Sequence, residues 1–141
     1  MKFEIRSFPV AKSSWAQDAF KVYSKKISHF CEFEFKNLKP GKSLLQNLNP
    51  QSFVILCDER GKSYSSRDFA GEIEKIRDSG QREIVILIGG PFGVEEDVRA
   101  RANMTLSLSS FVMNQEVALI TVFEQVFRAF TILNNLPYHN D

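Results

Sequence analysis

The chain is predicted to be an α/β protein with a mainly parallel sheet flanked by helices. Ser52–Cys57 and Glu83–Ile88 are short, β-branched and continuously apolar, the pattern of strands covered on both faces. Segments of helical period separate the strand-like runs, so β and α alternate along the chain. Nothing repeats, and no Gly/Ser/Pro linker divides the 141 residues, so a single domain spanning 1–141 is expected. The composition, 43% hydrophobic and 25% charged, is that of an ordinary globular chain and excludes disordered, collagen-like and disulfide-scaffold classes.

Residues 3–10 read as the first strand, and Ser14 with Gln17 three positions on forms a capping-box signature opening a helix. Along that helix Trp15, Ala19, Val22, Tyr23 and Ile27 recur at helical spacing. Phe30 to Phe35 suggests a strand of mixed alternation, whereas 38–50 holds Pro, Gly and Asn and favours no element. Arg67–Ser79 reads as a helix, with Ser65 and Asp68 at capping spacing and Gly80 at its end. Leu106–Val112 alternates hydroxyl and apolar residues as a short strand or a loop rich in backbone donors and acceptors. From Glu116 to Asn134 apolar residues cover most of a helix, leaving Thr121, Glu124, Gln125, Arg128, Thr131 and Asn135 on one narrow polar face. Either a second copy of the chain buries the excess apolar surface or the helix is sandwiched within the monomer.

Cys31 and Cys57 each lie in an apolar run without a second Cys at metal or redox spacing, so buried free thiols in a reducing compartment are expected. The alternating N-terminus lacks a signal-peptide core, and no segment reaches the roughly 18 apolar residues that span a bilayer, which points to a cytoplasmic protein without membrane contact. Gly41-Lys42-Ser43 and Gly61-Lys62-Ser63 fail as phosphate loops, because Lys36 and Leu56 stand where the motif needs its first glycine. Only His29 and His139 are available as imidazole ligands, far apart, so no metal is expected. Ligands of parallel sheets sit beyond the carboxyl ends of strands, here the loops starting at Cys57 and Gly89. Gly89-Gly90-Pro91-Phe92-Gly93 follows a buried strand, where consecutive glycines suit close backbone approach to a ligand or a plain strand-to-helix turn.

At these residues the sequence resembles the RlmH family, the ribosomal large-subunit pseudouridine N3-methyltransferases of the SPOUT class. The carriers are Val85–Gly93, Leu106-Ser107-Leu108-Ser109, Glu124–Ala129 and Pro137-Tyr138-His139, joined by Cys57–Lys62 and Ser65-Ser66; together they span essentially the whole chain. The resemblance implies a SPOUT-type fold with a C-terminal trefoil knot, a homodimer, S-adenosyl-L-methionine as cofactor, and large-subunit (23S) rRNA within the ribosome as substrate. It places cofactor contacts at Cys57, Gly90 and the backbone of Ser109, Ser110, Phe111, Val112, Met113 and Asn114. It places chemistry at His139 for the proton or the base's orientation, Tyr138 for stacking or hydrogen bonding, and Arg128 for phosphate or developing negative charge. Arg128 is equally at the i, i+4 spacing of an ion pair with Glu124.

The chain departs from the family pattern at Gln115, Leu119 and Asn140, where the family carries a His and two basic residues, and it is shorter between Leu38 and Ser52. A non-catalytic ribosome-binding or assembly module is therefore the alternative. Although 18 Lys/Arg nearly balance 17 Asp/Glu, residues 1–50 hold nine basic against four acidic side chains and residues 51–141 nine against thirteen. Lys12, Lys21, Lys25, Lys26, Lys36, Lys39 and Lys42 are thus candidates for a local phosphate-binding face, or for a merely solvated one.

Overall fold

The computed structural model describes residues 1–8, 13–39, 41–90 and 93–141. Five strands, β1 (Lys2–Ser7), β2 (Glu32–Asn37), β3 (Phe53–Ser63), β4 (Glu83–Ile88) and β5 (Met104–Ser107), form one sheet in the order β2-β1-β4-β3-β5. Every neighbouring pair is parallel. The helices are α1 (Ser14–Ile27), α2 (Ser66–Asp78), α3 (Glu96–Arg101) and α4 (Gln115–Leu133). The β/α alternation is as expected; α3, only six residues long, carries too little periodicity to be read from sequence.

Side-chain alternation along the inner strands divides the core in two. Phe3, Ile5, Ile84, Ile86 and Ile55 face α1, α2 and α4, whereas Val54, Leu56, Val85 and Leu87 face Leu44 and Val98 of α3. On the helical face, Phe123 of α4 stacks on Phe20 at 5.3 Å and meets Phe33 and Phe35 edge-on. One and a half to two turns on, Phe130 stacks on Phe30 at 5.5 Å and meets Phe3 edge-on. These offset and perpendicular arrangements suit the ring quadrupoles.

On the opposite face of β1, Glu4 and Arg6 are both buried, 1% exposed, and form a direct ion pair. The Arg6 guanidinium also donates to the carbonyls of Leu44 and Gln46, at 3.1 and 2.7 Å, and Lys36 approaches Glu4 at 3.6 Å. The charge alternation at the N-terminus is thus a buried network tying the 44–46 turns to the sheet.

Several local readings are corrected by packing. The first strand ends at Ser7; residues 9–12, the rest of that reading and Lys12, lie outside the described residues. The N-cap of α1 is Ser13, one residue before the capping box read at Ser14, and its hydroxyl serves Glu116 of α4 instead of its own helix. The buried stripe of α1 is Ala16, Phe20 and Ile27, leaving Trp15 and Val22 half exposed. Thr131, assigned to the polar face of α4, is buried and donates to the Arg128 carbonyl at 2.6 Å. By contrast α2 has its Ser65 cap on the Asp68 amide at 3.0 Å, and Gly80 follows with φ of 92°. Cys31 and Cys57 are free but only half-buried.

Replacing Arg6 by Met leaves the Glu4 carboxylate buried without its partner and should cost about 3–5 kcal/mol in urea unfolding. The double change Glu4→Leu/Arg6→Met should cost clearly less than the sum of the two single ones.

Candidate active site

A cleft of about 670 Å³ opens along the carboxyl edges of β3, β4 and β5. β3 supplies Cys57 to Arg60, β4 runs into Ile88–Gly90, the chain after β5 supplies Leu108, Ser109 and 111–113, and Arg99 of α3 and Ala118 of α4 close it. An adjoining lobe of about 420 Å³ adds Asn114, Gln115 and Glu116. The first volume lies in the usual range for small-ligand sites.

The cleft exists because β3 does not end at Cys57, as the sequence suggested. Its register with β5 jumps from Cys57↔Leu106 to Lys62↔Leu106, so residues 58–61 leave the regular pairing and Asp58, Glu59 and Arg60 form one wall. Gly61 lies flat on β5: a Cβ there would stand 2.7 Å from the Thr105 carbonyl. Gly61-Lys62-Ser63 is therefore strand, which explains physically why it makes no phosphate loop. Across the cleft the Gly93 amide donates to the Gly90 carbonyl at 3.0 Å; Pro91 and Phe92 lie outside the described residues. A Cβ on Gly89 would meet Val94 at 2.5 Å, whereas one on Gly90 would, among the described residues, meet only Phe8 at 3.8 Å.

The Asp58 carboxylate is almost enclosed and pairs with Arg99, while the Arg60 amide donates to it at 2.9 Å. Burial alone would raise its pKa; the Arg60 amide and Arg99 guanidinium outweigh that and hold it below the ordinary carboxylate value. Next to it, burial and then the Asp58 charge push the Cys57 thiol up to about 12, so the sulfur stays protonated and serves as wall, not nucleophile.

Of the proposed cofactor contacts, Cys57, Gly90, Ser109, Phe111, Val112 and Met113 line the main cleft, and Asn114 lines its second lobe. Asn114 also caps α4, its Oδ1 accepting from the Glu116 amide at 2.8 Å. Ser110 is exposed and lies off the cleft wall. Asp58, Glu59 and Arg60 fall in the loop expected after Cys57 but are not among the expected contacts, whereas Arg99 and Ala118 come in from α3 and α4, which no local pattern ties to the cleft.

The other proposed residues assemble elsewhere. After α4, Asn135 adopts φ of 55° while the amides of Asn135 and Leu136 donate to the carbonyls of Ile132 and Thr131 at 3.2 and 2.9 Å. This Schellman turn folds the chain back, so that Tyr138 and His139 return to the flank of α4. Arg128 grips Glu124 with a two-pronged pair at 3.1 and 2.8 Å, and Tyr138 donates to the same carboxylate at 2.9 Å. Arg128 Nη1 lies 3.0 Å from His139 Nδ1. Burial raises the Glu124 pKa less than the Arg128 and Tyr138 donors lower it, so it stays ionised; burial and the facing Glu124 push Tyr138 up to about 12. The i, i+4 pair read from sequence and the proposed catalytic cluster are thus one structure. Within one chain, however, the cluster and the cleft share no residue: Ala118 and Arg128 are ten positions apart, about 15 Å along the helix axis.

A parallel sheet with a glycine-floored cleft at its carboxyl edge belongs to the α/β class that binds small ligands there. The family model described as "Predicted SPOUT methyltransferase" matches residues 1–139. The ribosomal RNA large subunit methyltransferase H of Bdellovibrio bacteriovorus is 39% identical over 155 residues, covering 99% of both chains. That of Christiangramia forsetii is 37% identical over 136 residues, covering 85% of this chain and 87% of its own. A probable methylase family protein from Haemophilus influenzae Rd KW20 has the same fold, with a TM-score of 0.63 at 15% identity over 94% of this chain and 66% of its own. AviRb of Streptomyces viridochromogenes, a SpoU methyltransferase solved with AdoMet, matches with a TM-score of 0.50 at 10% identity, over 89% of this chain and 56% of its own. The chain belongs to the SPOUT methyltransferase family.

The Asp58 pair should show in the acid limb of stability. Since the folded carboxyl titrates below its unfolded value of about 3.9, its stabilisation is complete above that pH and lost as pH falls through the folded value. Asp58→Asn should therefore lower the urea midpoint at about pH 7 and converge on the parent as pH falls below the folded carboxyl's value. Gly61→Ala should destabilise by about 1–3 kcal/mol through overpacking on β5, whereas Gly90→Ala should leave the unfolding temperature within a degree or two of the parent, roughly the shift of a neutral substitution.

Proposed function

We propose that residues 1–141, acting as one domain, methylate N3 of a pseudouridine in large-subunit rRNA of the assembled ribosome with S-adenosyl-L-methionine as donor. The observation that carries this reading is the glycine-floored cleft at the carboxyl edge of β3, β4 and β5 in a chain of this family. Its walls suit the donor: Ile88, Leu108 and Met113 offer apolar surface, and the main chain around Gly90 and Ser109–Asn114 offers hydrogen bonds. When bound, the cofactor supplies an electrophilic methyl group.

The chain's own residues then handle the proton and the RNA. The target N3 carries an imide proton that must leave as the nitrogen becomes the nucleophile. Tyr138 keeps its proton and Arg128 keeps its charge, which leaves the His139 imidazole as the acceptor among the three. Arg128 meets the negative charge that develops on the base or the neighbouring phosphate, and Tyr138 supports the base by its ring. Lys21, Lys25 and Lys26 on α1 and Lys39 and Lys42 after β2 are exposed and available to RNA phosphates, with Lys26 5.2 Å from the Phe127 ring beside Tyr138. Lys36 is instead engaged with Glu4.

The separation of cluster and cleft in one chain favours a homodimer in which one copy's tail serves the other's cleft. Phe111, Val112 and Val117, exposed at 84%, 95% and 44% beside the cleft, support such an interface. A trefoil knot in the chain around the cleft is part of this proposal, and membership of the family supports it. The cytoplasm is the proposed location, consistent with a ribosomal substrate; among the described residues no helix is long and apolar enough to cross a membrane. The alternative, a ribosome-binding module without chemistry, draws on Gln115, whose amide faces the Gly89 carbonyl at 3.5 Å where the family carries a His.

The test is methyl incorporation into ribosomes from a strain lacking this gene, with mass mapping of the modified nucleotide. The enzyme should transfer the methyl group to a pseudouridine, and His139→Ala and Arg128→Ala should each lose about 10²-fold or more in rate with cofactor affinity intact. Ribosome binding without cofactor uptake in calorimetry would favour the module instead.

A further inference from the structure

The charged network on the α4 flank extends to two residues that neither the sequence pattern nor the family resemblance singles out. Arg67, the second residue of α2, forms a parallel pair of hydrogen bonds with Asp141, Nε to Oδ1 at 2.6 Å and Nη2 to Oδ2 at 2.9 Å. The same Oδ1 lies 3.0 Å from His139 Nε2. The other ring nitrogen, Nδ1, faces Arg128 Nη1 at 3.0 Å. A guanidinium can only donate and a carboxylate can only accept. The neutral His139 ring satisfies both partners in one way, with its hydrogen on Nε2 and its lone pair on Nδ1.

We propose that Arg67 and Asp141 form a positioning pair that holds the His139 imidazole in the Nε2–H form and presents Nδ1 as the proton acceptor. The proposal rests on the reading of His139 given above. When Arg128 turns to the RNA, the imide proton passes to Nδ1 and its bonding electron pair stays on the substrate nitrogen. The imidazolium so formed keeps its Nε2–H on Asp141, whose negative charge is itself fixed by the Arg67 fork. The groups facing the ring are Asp141 from the tail and Arg128 from α4, with Glu124 and Arg67 one bond further out. The pair is exposed, with Arg67 56% and Asp141 69% accessible, so its removal leaves the fold intact and any effect falls on orientation.

The experiment compares the full-length Arg67→Ala, Arg67→Lys, Asp141→Asn, His139→Ala and Arg67→Ala/His139→Ala proteins. Turnover and KM are measured on ribosomes, cofactor affinity by calorimetry, and the His139 form by imidazole nitrogen shifts at a pH where the ring is neutral. Arg67→Ala and Asp141→Asn should lower kcat by about two- to fivefold, the bias an exposed pair can exert, with KM and cofactor affinity unchanged. Arg67→Lys, which keeps the charge and loses the fork, should fall between parent and Arg67→Ala. Nitrogen shifts should report Nε2–H in the parent and a mixture of both forms in Arg67→Ala. In the His139→Ala background, Arg67→Ala should cost nothing more. The proposal is overturned if Arg67→Ala keeps the parental kcat while His139→Ala does not, or if it costs the same factor with and without His139. A His139→Ala protein at parental rate would overturn the underlying reading and this pair with it.

Discussion

The docking of α4 by its phenylalanines is the interaction on which the rest of the structure depends. Phe123 and Phe130 seat the helix across β1, β2 and α1, through contacts with Phe20, Phe33 and Phe35 at one level and Phe3 and Phe30 at the other. Aromatic contacts of this kind are directional as well as apolar, so they fix the rotation of the helix and not merely its burial. With that rotation set, the α4 N-terminus meets the glycine loop, where Asn114 caps it and Glu116 reaches Ser13, and Glu124 and Arg128 point to the opposite end. One helix therefore defines both the cleft wall and the charged flank.

The cleft itself follows from a conflict between two strands. β3 pairs with β5 up to Cys57, leaves register, and pairs again from Lys62, because Gly61 alone lets the backbone lie on Thr105. The four residues between carry Asp58 and Arg60 into the cleft, where burial alone would penalise the carboxylate and Arg99 offsets it. A site of main-chain, apolar and charged groups thus holds a fixed ion pair, Asp58 with Arg99, in its wall. On the other face of the sheet the same principle operates without a ligand: Glu4 and Arg6 tolerate burial only because each has the other and Arg6 has two carbonyls besides.

At the far end of α4 a single ionised carboxylate, Glu124, organises Arg128 directly, Tyr138 directly and His139 through Arg128. The tail reaches it because an asparagine in the left-handed region reverses the chain after the helix. Cluster and cleft lie about 15 Å apart along α4, which is why the proposed activity calls on a second copy to unite them.

The sequence by itself determined the α/β class, β4 residue by residue, α2 with its Ser65 cap and Gly80 stop, and the approximate span of α4, because each rests on local chemistry that neighbours in the chain supply. The family resemblance, carried by motifs whose residues lie close in sequence, is what pointed to Cys57, Gly90 and the 109–114 backbone, and to Arg128, Tyr138 and His139. Only the tertiary structure decided that α1 begins at Ser14 behind a Ser13 that gives it no side-chain cap, since the Ser13 hydroxyl is claimed by Glu116, 103 residues away. It likewise decided that Thr131 is buried, that β3 runs on past Cys57, and that Arg67 and Asp141 meet His139. Each of these depends on a partner far along the chain, and periodicity and propensity carry no information about which distant group will arrive to claim a hydrogen bond or a charge.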